Sequence, residues 1–200
     1  LDGYISGLQP IGGTYHDIGM IWGARMISTE GVFADGCEEY NGMPCNRHII
    51  FMTDGAQTAY CNVLTAYGVE QNDMRTTGSG SCPSQLARHQ QRFRMACNAA
   101  KNLNTSVWVI AFDTALNANL TGCASNSSQA TTSSDSESLV ERFRQIGNQI
   151  GHVHRPGDAL AGDVADQHRQ FVDTALLDVE KVAADHHRRG VTHGQIETIN

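Results

Sequence analysis

What this 200-residue sequence lacks narrows its function before anything it contains. No apolar run approaches the roughly 20 residues of a membrane-spanning helix, and no signal peptide is visible. Positive charge is neither abundant nor grouped: fourteen Lys and Arg are scattered against twenty-one Asp and Glu, a formal charge of -7. That argues against a nucleic-acid backbone as the main partner, because such binding neutralises phosphates with clustered basic residues. Gly-x-Ser-x-Gly, His-Glu-x-x-His and a complete phosphate loop are all missing, and the stretch GSGSCP (78–83) reads as a turn. Nothing places a hydrolytic triad, so the chain reads as a non-enzyme. Without a Cys-x-x-Cys pair or a histidine at zinc-finger distance, a structural zinc site has little support.

Apolar residues make up 40% of the chain, enough for a buried core, and the length suits one domain with an appendage. Cys37, Cys45, Cys61, Cys82, Cys97 and Cys123 form an even set at wide spacing, all in the first two thirds. Disulfides in an oxidising compartment are the expected state, with many pairings open to six cysteines. The first residue is Leu1, so a processed product or a fragment is expected.

Strand and helix signals alternate along residues 1–150. GGTYHDIGMIWGARMIS (12–28) reads as a glycine loop feeding an amphipathic helix with Ile18, Ile21, Trp22 and Met26 on its apolar side. Residues 30–46 read as a surface loop. Ile49-Ile50-Phe51-Met52 is a buried parallel strand by composition, and it ends on Asp54-Gly55. Residues 60–83 read as an irregular insertion stapled by two cysteines. From Ser84, a good N-cap, a helix of about five turns is expected with Leu86, Phe93, Cys97 and Ala100 on one face. SVWVIAF (106–112) is a second buried strand. An edge strand is expected at 129–133, then a capped helix with Leu139, Phe143, Ile146 and Ile150 on one side. The alternation argues for a parallel sheet covered by helices on both faces. If the 84–102 helix and the 106–112 strand pack antiparallel, Cys97 comes within bridging reach of Cys123; Cys37 with Cys45 is the other expected pair.

After Gly151 the composition changes. Six of the nine histidines fall in the last fifty residues and cysteine disappears. An apolar stripe suggests one helix over about 158–187, so residues 151–200 are expected to be an appended helical or poorly ordered tail. His186, His187 and His193 read as a solvated face, since adjacent helical residues diverge by about 100°. Three Asn-x-Ser/Thr triplets, at Asn104, Asn119 and Asn126, match the glycosylation sequon of eukaryotic secreted proteins and read as the chance matches expected in an Asn- and Ser-rich chain.

Thr14, in Gly12-Gly13-Thr14 at a helix start, and Asp54, at a strand end, are expected to meet at one edge of such a sheet. A hydroxyl and a carboxylate suit a hard divalent cation, and Mg²⁺ binds few protein groups while keeping its waters. The bland alternative for Asp54 is a turn-capping carboxylate. The pair resembles two of the three loops of the metal-ion-dependent adhesion site in von Willebrand factor type A domains. The blocks GGTYHDIGMIWGARMIS, RHIIFMTDG, RHQQRFRMACNAAKN and SVWVIAF followed by LTGCAS are similar to the carboxyl part of the type A domain in bacterial TadG-like proteins of Flp/Tad pilus assembly, over residues 1–150.

The resemblance implies a Rossmann-like three-layer α/β sandwich with a mostly parallel sheet, and Thr14 and Asp54 as ligands of Mg²⁺ or Mn²⁺. It further implies a protein partner engaged through an acidic residue, and a place in the bacterial cell envelope. The family's Asp-x-Ser-x-Ser loop would precede Leu1. The implied metal site is therefore incomplete, the amino-terminal strands are missing, and any membrane anchoring would come from an upstream segment. The alternatives are a structural scaffold with a vestigial metal site and, third, a secreted hydrolase.

Overall fold

The computed structural model describes residues 2–7, 12–30, 34, 39–40, 43–44 and 46–152. The expected 37–45 disulfide and, apart from two residues, the 151–200 tail lie outside them. The elements run α1 (Asp2–Ser6), α2 (His16–Ile27), β1 (Glu39–Tyr40), β2 (Met43–Pro44), β3 (Arg47–Thr53), β4 (Leu64–Thr65), β5 (Gly68–Val69), α3 (Glu70–Asp73), α4 (Cys82–Asn102), β6 (Thr105–Phe112), α5 (Ala118–Cys123), β7 (Ala130–Ser133) and α6 (Ser136–His152). The chain divides into two units, 1–132 and 133–200. No helix among the described residues is long and apolar enough to cross a membrane.

The fold is mixed α/β around a parallel three-stranded sheet in the order β3-β6-β7. β3 and β6 pair in parallel from Arg47 with Thr105 to Thr53 with Ala111, so their carboxyl ends share one edge. Parallel pairing requires a long crossover, and the 55–104 stretch with α4 supplies it. Alternation along β6 splits its side chains. Val107, Val109 and Ala111 join Met20 of α2, Phe93, Cys97 and Ala100 of α4, and Leu120 and Cys123 of α5 in the core, with Ile49 and Phe51 of β3 against them. Trp108 and Ile110 point to the other face and are also buried. A strand buried on both faces reads as one continuous apolar run, as SVWVIAF does.

The Cys97–Cys123 disulfide closes α4 onto α5 with a Cα separation of 5.1 Å. Closing its 26-residue interval removes about 3–4 kcal/mol of chain entropy from the unfolded state. Cys61–Cys82 staples the insertion at a Cα separation of 5.4 Å. Inside that loop the buried Glu70 carboxylate accepts from Thr76 N (2.7 Å), Thr77 N (2.7 Å) and Thr77 Oγ1 (2.6 Å). Gly68, at φ +90°, leaves room for Asp73, whose carboxylate a Cβ there would strike.

Four expectations need correction. Strand β3, expected to be buried, is only half-buried at Ile49, Ile50 and Phe51, and Met52 is exposed. On α2 the buried residues are His16, Asp17 and Met20, whereas Trp22 (48% exposed) and Met26 (60%) face solvent and Ile18 and Ile21 are half-buried. Helix α4 starts at Cys82, with Ser81 at its N-cap and Pro83 in the first turn, and its buried face is Gln85, His89, Phe93, Cys97 and Ala100 instead of one containing Leu86. In both helices a polar pair, Asp17 and His89, occupies core positions, which shifted the apolar stripe read from sequence. The polar 113–128 stretch also holds a helix, α5, capped by Asn117 Oδ1 accepting from Asn119 N and Leu120 N.

Helix α6, described by itself, is capped by Asp135, whose Oδ1 accepts from Ser138 N at 2.8 Å, and it buries Leu139, Val140 and Ile146. That hydrogen bond leads those holding the exposed Asp135 carboxyl below its usual range.

Candidate functional site

The site lies where β3 and the loop before α2 meet. Gly13 approaches the next segment so closely that an added Cβ would lie 3.0 Å from Thr58 O and 2.8 Å from the Tyr15 ring. Only glycine fits without displacing backbone. This closeness lets the two segments zip together. Thr14 N donates to Thr58 Oγ1 (2.8 Å) and Thr58 N to Thr14 O (3.0 Å), while Tyr60 N donates to Tyr15 Oη at 3.0 Å. The zipper consumes the backbone of Thr14 and leaves its hydroxyl without a hydrogen bond among the described residues.

Asp54 is exposed in the bend that follows β3. Flanking it, His16 Nε2 lies 3.0 Å from Thr53 Oγ1 and 3.2 Å from Gly55 O. A carbonyl only accepts, so Nε2 carries the hydrogen in this arrangement. Burial pushes the His16 pKa down; the bond to Gly55 and the charges of Asp17 and Asp54 oppose this in part. On the adjacent strand, Asp113 is exposed at φ +48° just past β6. With Thr53 opposite Ala111, the loops after β3 and β6 leave the sheet side by side.

Beneath this edge is a polar cluster. Asp17 Oδ2 and His89 Nδ1 are 2.8 Å apart and both side chains are fully buried. The His89 ring meets Tyr15 edge-on at 4.9 Å and Tyr67 at 5.6 Å, and the Arg92 guanidinium stacks 4.4 Å above Tyr67. Burial, then the Asp17 charge, raises the Tyr67 phenol. Asp17 thus fastens α2 to α4 directly behind the loop that carries Thr14.

The two site residues read from the sequence therefore belong to loops that the Thr14–Thr58 zipper and His16 bind together. Missed were His16, Asp17 and His89. The signal for them was positional: Gln85, His89, Phe93, Cys97 and Ala100 make a continuous helical face only if the histidine is allowed inside. As a donor set, a hydroxyl and a carboxylate fit Mg²⁺ or Mn²⁺ in kind, as hard oxygens. Among the described residues no three His, Cys, Asp or Glu converge on one point, which a site of one carboxylate, one hydroxyl and water does not require.

Fold and site define a mixed α/β protein with a parallel sheet, an oxygen-bearing edge and, among the described residues, two disulfides. No family model matches the chain, and no curated protein or solved structure does either.

Proposed function

We propose that this chain is a cation-dependent protein-binding module, the carboxyl part of a von Willebrand type A-like domain from a TadG-like bacterial envelope protein. The supporting observation is a pair of loops tied together at the carboxyl edge of a parallel sheet, where ligands of open α/β sheets bind: one carries the Thr14 hydroxyl, without a hydrogen bond among the described residues, and the other the exposed Asp54 carboxylate. Mg²⁺ or Mn²⁺ held there keeps positions filled by water, and a carboxylate of a partner protein can replace one. Two disulfides suit an oxidising compartment such as the outer side of a bacterial envelope.

Two protein ligands compete poorly with water for a cation that dehydrates reluctantly, so the intrinsic affinity of this chain is weak. The same fact favours a second reading, a scaffold in which Asp54 only shapes a turn. Titration with Mn²⁺, followed by paramagnetic broadening of backbone amides, separates the two readings. The module broadens Thr14, Tyr15, Asp54 and Gly55 together and loses this in Asp54→Ala, whereas the scaffold shows no focus at these residues.

A further inference from the structure

We infer that His16 is a positioning residue of the Thr14–Asp54 site, a single imidazole that sets the separation of the two ligand-bearing loops. The inference rests on the cation reading above and says how that site is held. His16 follows Thr14 by two residues and is 4% exposed. Its Nε2 reaches Thr53 Oγ1 at 3.0 Å and Gly55 O at 3.2 Å, gripping both neighbours of Asp54 while the carboxylate between them stays exposed. The Thr53 hydroxyl donates to Gly55 O (3.0 Å) and accepts from Gly55 N (3.3 Å), so the turn closes around the point that His16 holds.

The brace is itself immobilised. The His16 ring stands edge-on to Phe51 at 5.5 Å and packs on Phe93 at 5.4 Å, and its neighbour Asp17 is bonded to His89 of α4. A histidine at this position has no helical need to be there: an apolar residue would pack as well against two phenylalanines. What it adds is one directed hydrogen bond from the Thr14 side of the site to the Asp54 side. Ligand sites tolerate displacements of only about 0.5 Å, which a locked side chain provides and a mobile loop does not.

The full chain is sufficient for the test. His16→Phe keeps a ring between Phe51 and Phe93 but removes the donor, and His16→Gln restores a donor. Amide exchange at Asp54 and Gly55 and Mn²⁺ broadening of both loops are measured by NMR in each. In His16→Phe the turn that holds Gly55 N on Thr53 Oγ1 loses its outside anchor, so Gly55 exchange is expected to rise about tenfold through more frequent local opening, with a small drop in the unfolding midpoint. Mn²⁺ then no longer broadens the Thr14 and Asp54 loops together, and His16→Gln recovers most of both effects. Unchanged Gly55 exchange in His16→Phe, or failure of His16→Gln to recover it while folded, overturns the inference. Raised exchange in His16→Phe without any Mn²⁺ broadening in the wild type overturns the cation reading and leaves the brace standing.

Discussion

Glu70 illustrates how a charged residue earns a buried place. Burial alone would raise its pKa, but the hydroxyl and amide of Thr77 and the amide of Thr76 outweigh that and hold it down at about 2. The unfolded carboxyl titrates near its usual 4.5, so the folded state binds fewer protons between these values. The stabilisation is complete above about pH 4.5 and is lost as pH falls through about 2. Glu70→Gln should therefore cost about 2 kcal/mol at pH 7, and denaturant titrations should show the gap to wild type closing from about pH 5 downward. A gap that is constant down to pH 2.5 would contradict this account. A second residue-scale test concerns the face of α2. Met20→Ala should cost about 3 kcal/mol because Met20 is wholly buried, and Trp22→Ala less than about 1 kcal/mol despite its larger side chain. The sequence pointed the other way because Trp22 and Met26 share helical spacing with Ile18. Which stripe faced inward was decided by Asp17 reaching His89, a contact 72 residues apart that no local pattern carries.

At the scale of elements, the strands were legible because both are apolar runs bounded by polar turns. The long helices were legible because Phe93, Cys97 and Ala100, or Leu139 and Ile146, repeat with helical period. Helix α5 was not, since six residues are too few to show a period and its cap, Asn117, also reads as loop. The Cys97–Cys123 bridge was read correctly from the antiparallel run of α4 against β6, and its removal tests how far it supports the core. Replacing both cysteines with alanine should lower the unfolding free energy by about 3 kcal/mol, measured in denaturant. The loop before α2 depends instead on close backbone approach. Gly13→Ala pushes a methyl against the Thr58 carbonyl, which cannot rotate away as a side chain does. It should cost about 1–2 kcal/mol and speed amide exchange at Thr14 and Thr58 together. Separate behaviour of the two amides would show that the zipper is not one unit.

At the scale of the whole molecule, the parallel pairing of β3 with β6 carries Asp54 and Asp113 to one edge, and the His16 contacts with Thr53 and Gly55 tie the loop before α2 to it. The sequence order of strand, helix and strand was enough to anticipate the parallel pairing. What holds the edge together was not anticipated, because it is made of contacts between distant residues: Thr14 with Thr58, His16 with Thr53 and Gly55, Asp17 with His89. These contacts give the central claim its most direct test, a Mn²⁺ titration of the full chain compared with Asp54→Ala and Asp113→Ala. The account predicts weak but focused binding that broadens the Thr14 and Asp54 loops together, is lost in Asp54→Ala and persists in Asp113→Ala. Equal broadening in wild type and Asp54→Ala would contradict it and return Asp54 to the role of a turn-capping carboxylate.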